Sequence, residues 1–182
     1  MLQQTRADVV RHVWPKFIGQ FPTPRSLAGA DDDVLLSAWR GLGYYRRARF
    51  LREGAREVMT RHGGNVPDNA EELGALPGIG PYTAGAVASI AFGLCELAID
   101  GNVLRVTARH RLIESNVRRG EGQRAVEAAV REWQDRQQPG DFNQALMELG
   151  ATTCLARSPK CEACPVSEDC QGRQQGLLEQ LP

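Results

Sequence analysis

Leu76-Pro77-Gly78-Ile79-Gly80-Pro81-Tyr82-Thr83-Ala84 joins two stretches of helical character through a turn with glycine at two alternate positions. Glycine there admits positive φ and lets the backbone approach a neighbour closely. The helix that follows opens with free N–H groups and the positive end of its dipole, which together cradle a phosphate. A plain corner between two helices is the alternative reading of the same residues.

Outward from that turn the chain reads as helix almost throughout. Upstream, apolar residues at Val9, Val10, Val13, Trp14 and Phe17 recur at helical spacing, and Pro22 and Pro24 are expected to stop that helix. Asp31 to Asp33 are expected to cap a helix through Val34, Leu35, Leu36 and Trp39. A longer one fits 45–62 and ends at Gly63-Gly64, and Pro67 and Asp68 are expected to start a short one. Downstream, 83–92, the stretch from Gly101 through Val103 and Val106, 125–133 and 142–149 complete the set. No alternation of apolar residues persists long enough to demand a sheet, so the expected class is all-α.

With 22 basic and 22 acidic side chains among 182 residues, overall charge does not advertise a nucleic-acid partner. Its distribution is more informative. Arg40, Arg46, Arg47, Arg49, Arg52, Arg56 and Arg61 crowd one segment against Glu53 and Glu57, and Arg105, Arg109, Arg111, Arg118 and Arg119 form a second cluster. Such faces can track phosphates, although a solvated helix face gives the same pattern. No apolar run reaches the length of a membrane span, and the N-terminus lacks an export signature.

Four of the five cysteines fall as C-x6-C-x2-C-x5-C at Cys154, Cys161, Cys164 and Cys170, with Pro165 as a turn-former after the third. Four thiolates at such spacing hold zinc or an iron–sulfur cluster, and spacing alone does not separate the two. This usage fits a reducing cytosol better than a disulfide scaffold. The fifth, Cys95, is expected to be a small core residue. Asp100-Gly101-Asn102-Val103 precedes an arginine-rich helix, and an aspartate there is expected to be its N-cap. A carboxylate so placed is also suited to face a developing cation.

These elements occur in a recognisable order. Met1-Leu2-Gln3-Gln4-Thr5, Trp39-Arg40-Gly41-Leu42-Gly43-Tyr44-Tyr45, the glycine turn, Leu97-Ala98-Ile99-Asp100-Gly101-Asn102-Val103-Leu104-Arg105-Val106, Phe142-Asn143-Gln144-Ala145-Leu146-Met147-Glu148-Leu149-Gly150 and the four cysteines run along essentially the whole chain. The set resembles the helix-hairpin-helix DNA glycosylases, and within them the MutY-type adenine glycosylases.

That resemblance implies an all-helical fold of two lobes: a six-helix bundle containing the hairpin, placed at 1–95, and an iron–sulfur lobe at 96–182. A 4Fe-4S cluster would sit on Cys154, Cys161, Cys164 and Cys170, with DNA across the cleft. The enzyme would flip adenine mispaired with 8-oxoguanine or guanine out of the duplex, because the target atoms are unreachable inside the stack, and cut its glycosidic bond.

By position, Asp100 would stabilise the cationic sugar and Asn102 would orient the site. Tyr82 stands where the lyase branch has an imine-forming lysine, which implies a monofunctional enzyme. Gln4 and Tyr44 would wedge beside the flipped base, Leu2 would pack by the adenine, and Gln144 would lie near its polar edge. Gln3, Thr5, Gly78 and Gly80 would belong to the DNA-contacting surface. Family members carry a general-acid glutamate two residues before the methionine aligned with Met1, and many add a C-terminal 8-oxoguanine-recognising domain. Neither lies within these residues, so weak or absent activity of this stretch alone is expected.

A thymine or uracil glycosylase acting opposite guanine, or a non-catalytic mismatch-binding fragment, are the alternatives. The resemblance further implies a monomer working on double-stranded DNA in a bacterial cytosol, at the nucleoid.

Overall fold

The computed structural model describes residues 1–182 and is helical throughout, with ten α-helices, one 3-10 turn and no strand. By compactness it divides into two units, Met1–Gly80 and Pro81–Pro182. That division falls earlier than the lobe boundary expected after residue 95, because helix α6 (Pro81–Phe92) packs on α9 (Pro139–Thr152). No helix is long and apolar enough to cross a membrane.

The first unit holds α1 (Ala7–Gln20), α2 (Pro24–Ala28), α3 (Asp32–Ala38), α4 (Arg46–Arg61) and α5 (Ala70–Ala75). Its core is aromatic. Phe17 meets Phe21 at 5.0 Å and Trp39 edge-on at 5.7 Å between ring centroids. Trp39 is fully buried, and its indole N–H donates to the Gly43 carbonyl at 3.0 Å.

Pro24 does not only end α1. It takes the first position of α2, where its missing N–H costs nothing, behind a Thr23–Ser26 capping box. The short helix expected at Pro67 starts instead at Ala70, because the Asn69 side chain accepts the Glu72 N–H and caps it there.

The arginine stripe of α4 is largely committed inside the unit. Arg49 and Arg52 both reach Asp32, Arg52 also donates to the Ala30 carbonyl, and Arg56 holds Glu53 and the Ala28 carbonyl. These side chains fasten α4 to α2 and α3. As a whole the stripe is not a free phosphate-tracking face.

In the second unit α7 (Gly101–His110) is packed by α8 (Gly120–Trp133), α9 and the short α10 (Gln171–Gln174). Val103, Val106, Ala108, Val126, Val130 and Leu146 fill the space between them. Polar residues are buried with them, Asn143 at the centre of their hydrogen bonds. Asn143 donates to the Ser89 hydroxyl and the Glu96 carbonyl, both at 2.8 Å, and accepts the Ala98 N–H at 3.3 Å. It thereby ties α6, α9 and the segment entering Asp100 into one piece.

Asn143→Leu would leave the buried Ala98 N–H without a partner, worth about 1–3 kcal/mol, while the Ser89 hydroxyl keeps the Gly85 carbonyl and the Glu96 carbonyl keeps the Gln134 amide. The expected result is a loss of about 1–3 kcal/mol in urea unfolding, against a much smaller loss at an exposed site such as Gln123. Cys95 departs from its expected place. It follows the turn that ends α6, where Gly93 takes φ 68°, and is exposed with its thiol 3.6 Å from the Arg136 carbonyl.

Candidate active site and metal centre

Asp100 is the N-cap of α7, as the sequence suggested. One carboxylate oxygen accepts the backbone N–H groups of Asn102 and Val103, both at 2.8 Å, and the other accepts the Asn102 side-chain N–H at 2.9 Å. Both oxygens are therefore fixed in direction by bonds to a charged acceptor, the stronger class of hydrogen bond.

Asn102 is fixed in turn. Its side-chain oxygen accepts from Arg105 Nη2 at 2.8 Å, and Arg105 also donates to the Gly150 carbonyl at 2.7 Å and the Cys154 carbonyl at 2.8 Å. Those bonds satisfy groups at the end of α9 that its own helix leaves open. Gly150 lies directly on Asn102: a Cβ there would stand 2.5 Å from the Asn102 Cβ. Only glycine lets α9 come this close to the first turn of α7.

Tyr82, in the first turn of α6, is part-exposed, and its hydroxyl lies 3.3 Å from the Met147 sulfur. Burial, then the nearby Asp100 charge, push its phenol above the usual range, so it stays protonated at neutral pH. A neutral phenol beside a carboxylate can donate a hydrogen bond, and it offers no amine for imine chemistry.

The glycine turn is sharper at one glycine than the other. Gly78 takes φ 79°, and a Cβ there would meet the Phe50 side chain at 2.6 Å. Gly80 has no positive φ, contrary to the expectation for both, and a Cβ there would meet nothing within 4 Å. Gly80 thus leaves the backbone ahead of α6 open to close approach.

The N-terminal segment and the turn before α4 are organised by Arg47, which the sequence offered only as one member of a basic stripe. Its guanidinium donates to the carbonyls of Met1, Gln3, Leu42 and Gly43 and to the Thr5 hydroxyl, and it lies over the rings of Trp39 and Tyr44. Thr5 also donates to the Leu42 carbonyl at 3.1 Å, so it is an anchor of this turn. Gln3 reaches the Gly78 carbonyl at 3.5 Å.

Leu2, Gln4 and Tyr44 project outward. Leu2 and Tyr44 are 63% and 66% exposed, and Gln4 and Tyr44 hold left-handed φ values of 56° and 45°. Each such conformation costs about 1–3 kcal/mol for a residue with a Cβ and persists only where its surroundings impose it. Gln144 is exposed on α9, its amide turned back to the Gly140 carbonyl at 3.3 Å.

The four cysteines converge. Cys154 ends the bonds that leave α9, Cys161 opens a 3-10 turn (Cys161–Ala163), and Cys170 precedes α10. All four are unpaired and line one open cavity with Thr153, Lys160 and Arg173. Burial and then the neighbouring thiols push Cys161 up, so the site alone does not favour its thiolate; a bound metal must supply that.

No three ligating side chains meet as the shell of a single metal ion. Four thiols around a cavity rather than around a point suit a polynuclear cluster, and Arg109 places an N–H 3.6 Å from the Cys154 sulfur. The donor set fits iron–sulfur chemistry. When bound, the cluster cross-links Cys154, Cys161, Cys164 and Cys170 and so closes the C-terminal loop.

Residues 1–135 match the HhH-GPD superfamily base excision DNA repair protein family, and residues 154–170 match the iron–sulfur binding domain of endonuclease III. Among curated relatives, the adenine DNA glycosylase of Homo sapiens is 44% identical over 182 residues, covering 100% of this chain and 33% of its own length. That of Mycobacterium tuberculosis is 40% identical over 173 residues, covering 91% of this chain and 55% of its own. The chain thus spans about a third to a half of the relatives it matches.

Among solved structures, a thermostable thymine-DNA glycosylase superposes with a TM-score of 0.86 at 30% identity, covering 96% of this chain and 80% of that one. Endonuclease III in a non-covalent DNA complex superposes at 0.79 with 24% identity, covering 97% and 81%, and shows the shared fold. The iron–sulfur match spans the stretch that holds all four cysteines, and the chain carries a 4Fe-4S cluster. With its glycine turn, its capped aspartate and its cysteine loop in family order, the chain belongs to the HhH-GPD superfamily of base excision DNA repair proteins.

Proposed function

We propose that the chain is the excising part of a monofunctional adenine DNA glycosylase that acts on adenine opposite 8-oxoguanine or guanine in duplex DNA. The observation that carries this reading is the Asp100 carboxylate, fixed by three N–H bonds at the start of α7, with a tyrosine rather than an amine at position 82. The identity to adenine DNA glycosylases over 100% and 91% of the chain supports the choice of base.

In this reading a general acid, the role the family gives to the glutamate preceding the Met1 position, protonates the adenine ring, the bond from C1′ of the deoxyribose to the base breaks, and its electron pair leaves with the adenine. Positive charge develops on C1′ and the ring oxygen, and the fixed Asp100 anion stabilises it, as preoriented charge does in a water-poor site. A water then adds to C1′, and Asp100 accepts its proton. Asn102 and Arg105 keep the carboxylate aimed while this happens, and Tyr82 hydrogen-bonds without forming an imine.

The flipped base leaves a gap in the duplex that Gln4 and Tyr44 would fill, on segments that Arg47 ties together. Leu2 and Gln144 would lie by the adenine. Gly78 and Gly80 would bring the backbone N–H groups ahead of α6 onto a phosphate, a contact that reads no sequence. The protein would act as a monomer in the bacterial cytosol.

The similarity to a thymine-DNA glycosylase favours one second reading, excision of thymine or uracil opposite guanine. Four duplexes differing only in the target pair decide between them under single turnover: A opposite 8-oxoguanine, A opposite G, T opposite G and U opposite G. Release of adenine from the first two supports the proposal. Release of pyrimidine alone assigns the second reading, and tight binding with no release from any duplex leaves a mismatch-binding module.

A further inference from the structure

We propose that Arg109 is the fixed countercharge of the iron–sulfur cluster, favouring its more reduced form through a buried positive charge and an N–H directed at the Cys154 sulfur. Arg109 is 3% exposed, yet it takes part in none of the ion pairs of the molecule. By contrast the buried Arg52 has Asp32, and the part-buried Arg111 has Glu132.

Arg109 donates to the carbonyls of Leu155 at 2.7 Å and Ala156 at 3.1 Å and reaches Cys154 Sγ at 3.6 Å, while its Nε is buried without a partner. Its own carbonyl lies 3.6 Å from Cys170 Sγ. The residue therefore touches the first and last ligands of the loop, one through its charge and the other through its backbone.

A buried cation with no anion beside it is strongly disfavoured, and carbonyl dipoles compensate it only in part. A cluster held by four thiolates is anionic, and it fills the cavity that the same cysteines line. Each charge thus answers the other. Lys160 and Arg173 also border the cavity, but both are exposed, so water and salt screen them. Cluster potentials follow net charge, hydrogen bonds to sulfur and exposure, and Arg109 bears on all three. Adding an electron makes the cluster more negative, so the fixed cation holds the reduced form.

The inference rests on the iron–sulfur assignment, and wild-type protein that lacks the brown chromophore would overturn that assignment rather than this one. The test compares Arg109→Gln and Arg109→Lys in the full chain. Both lose the forked bonds to Leu155 and Ala156, and only lysine keeps the charge. Cluster content is read from visible absorbance and iron analysis, and the one-electron potential from voltammetry on an electrode.

Arg109→Lys is expected to load and to stay within about twofold of wild type in reduced fraction at a fixed potential. Arg109→Gln is expected to lose at least about tenfold in reduced fraction, a shift of ~59 mV for one electron. If glutamine fails to load while lysine loads, the charge is again the cause. Equal potentials in two loaded variants, or failure of both to load, would overturn the proposal, because a purely structural fork then accounts for Arg109.

Discussion

Asp100→Asn is expected to lower single-turnover base release by about 10²–10³-fold or more while leaving affinity for the mismatched duplex within about threefold. The size follows from removing one preoriented charge from the place where a cation forms. Folding should survive, because asparagine caps a helix nearly as well as aspartate.

The one local conflict is with Asn102. Its side-chain N–H now donates to the second carboxylate oxygen at 2.9 Å, and would face an amide N–H instead. That mismatch costs about 1 kcal/mol, within the ordinary range for one lost hydrogen bond. Rates come from rapid quench, affinities from fluorescence anisotropy and stability from urea melts on the same preparations. A variant that keeps its rate within tenfold of wild type would show that Asp100 caps α7 and does nothing else.

Cys161→Ser is expected to remove the cluster, bleach the visible absorbance and unfold the loop from Cys154 to Leu181. Residues between these are largely exposed, and few apolar side chains among them are buried, so little but the metal holds the segment closed. Binding of a structural metal contributes about 10–16 kcal/mol of folding free energy in small sites, and several kcal/mol of that scale should be lost here.

The damage should stop short of the core. Val103, Val106, Val126, Val130 and Leu146 bury one another independently of the loop. Hydrogen exchange should therefore rise across the cysteine loop and α10 and stay slow in α8. Retained colour, or uniform exchange across the second unit, would contradict this. Loss of the loop would also free Arg105 and Arg109 from the carbonyls of Cys154, Leu155 and Ala156, loosening the Asn102 side that aims Asp100.

Much of this was legible in the residues. Helical periodicity located α1, α4 and α7, and the aspartate ahead of α7 announced its cap because an Asx side chain immediately before a helix has one obvious use. The cysteine spacing announced a metal. What stayed hidden depends on partners distant in sequence.

The arginines of α4 look like a phosphate stripe until Asp32 and the carbonyls of Ala28 and Ala30, on other elements, absorb them. Arg105 and Arg109 lie in an amphipathic helix where nothing local says that their targets are carbonyls some fifty residues on. The left-handed φ values at Gln4 and Tyr44 fall on residues with side chains, which sequence does not mark, and Arg47 holds the chain beside both, at the Gln3 carbonyl and over the Tyr44 ring. Cys95 was misplaced for the opposite reason: its neighbours are apolar, but the chain leaves the core at Gly93.

The most direct measurement is the chemistry of the product. Protein in excess is mixed with a labelled duplex carrying adenine opposite 8-oxoguanine, and the mixture is divided before and after hot alkali. With the family's general-acid glutamate present in the protein used, free adenine with a strand that breaks only after alkali is the predicted result, since the role proposed for Asp100 is hydrolytic and Tyr82 offers no amine to cut the backbone. Strand cleavage without alkali, or trapping of a covalent adduct by borohydride, would contradict the account at its centre.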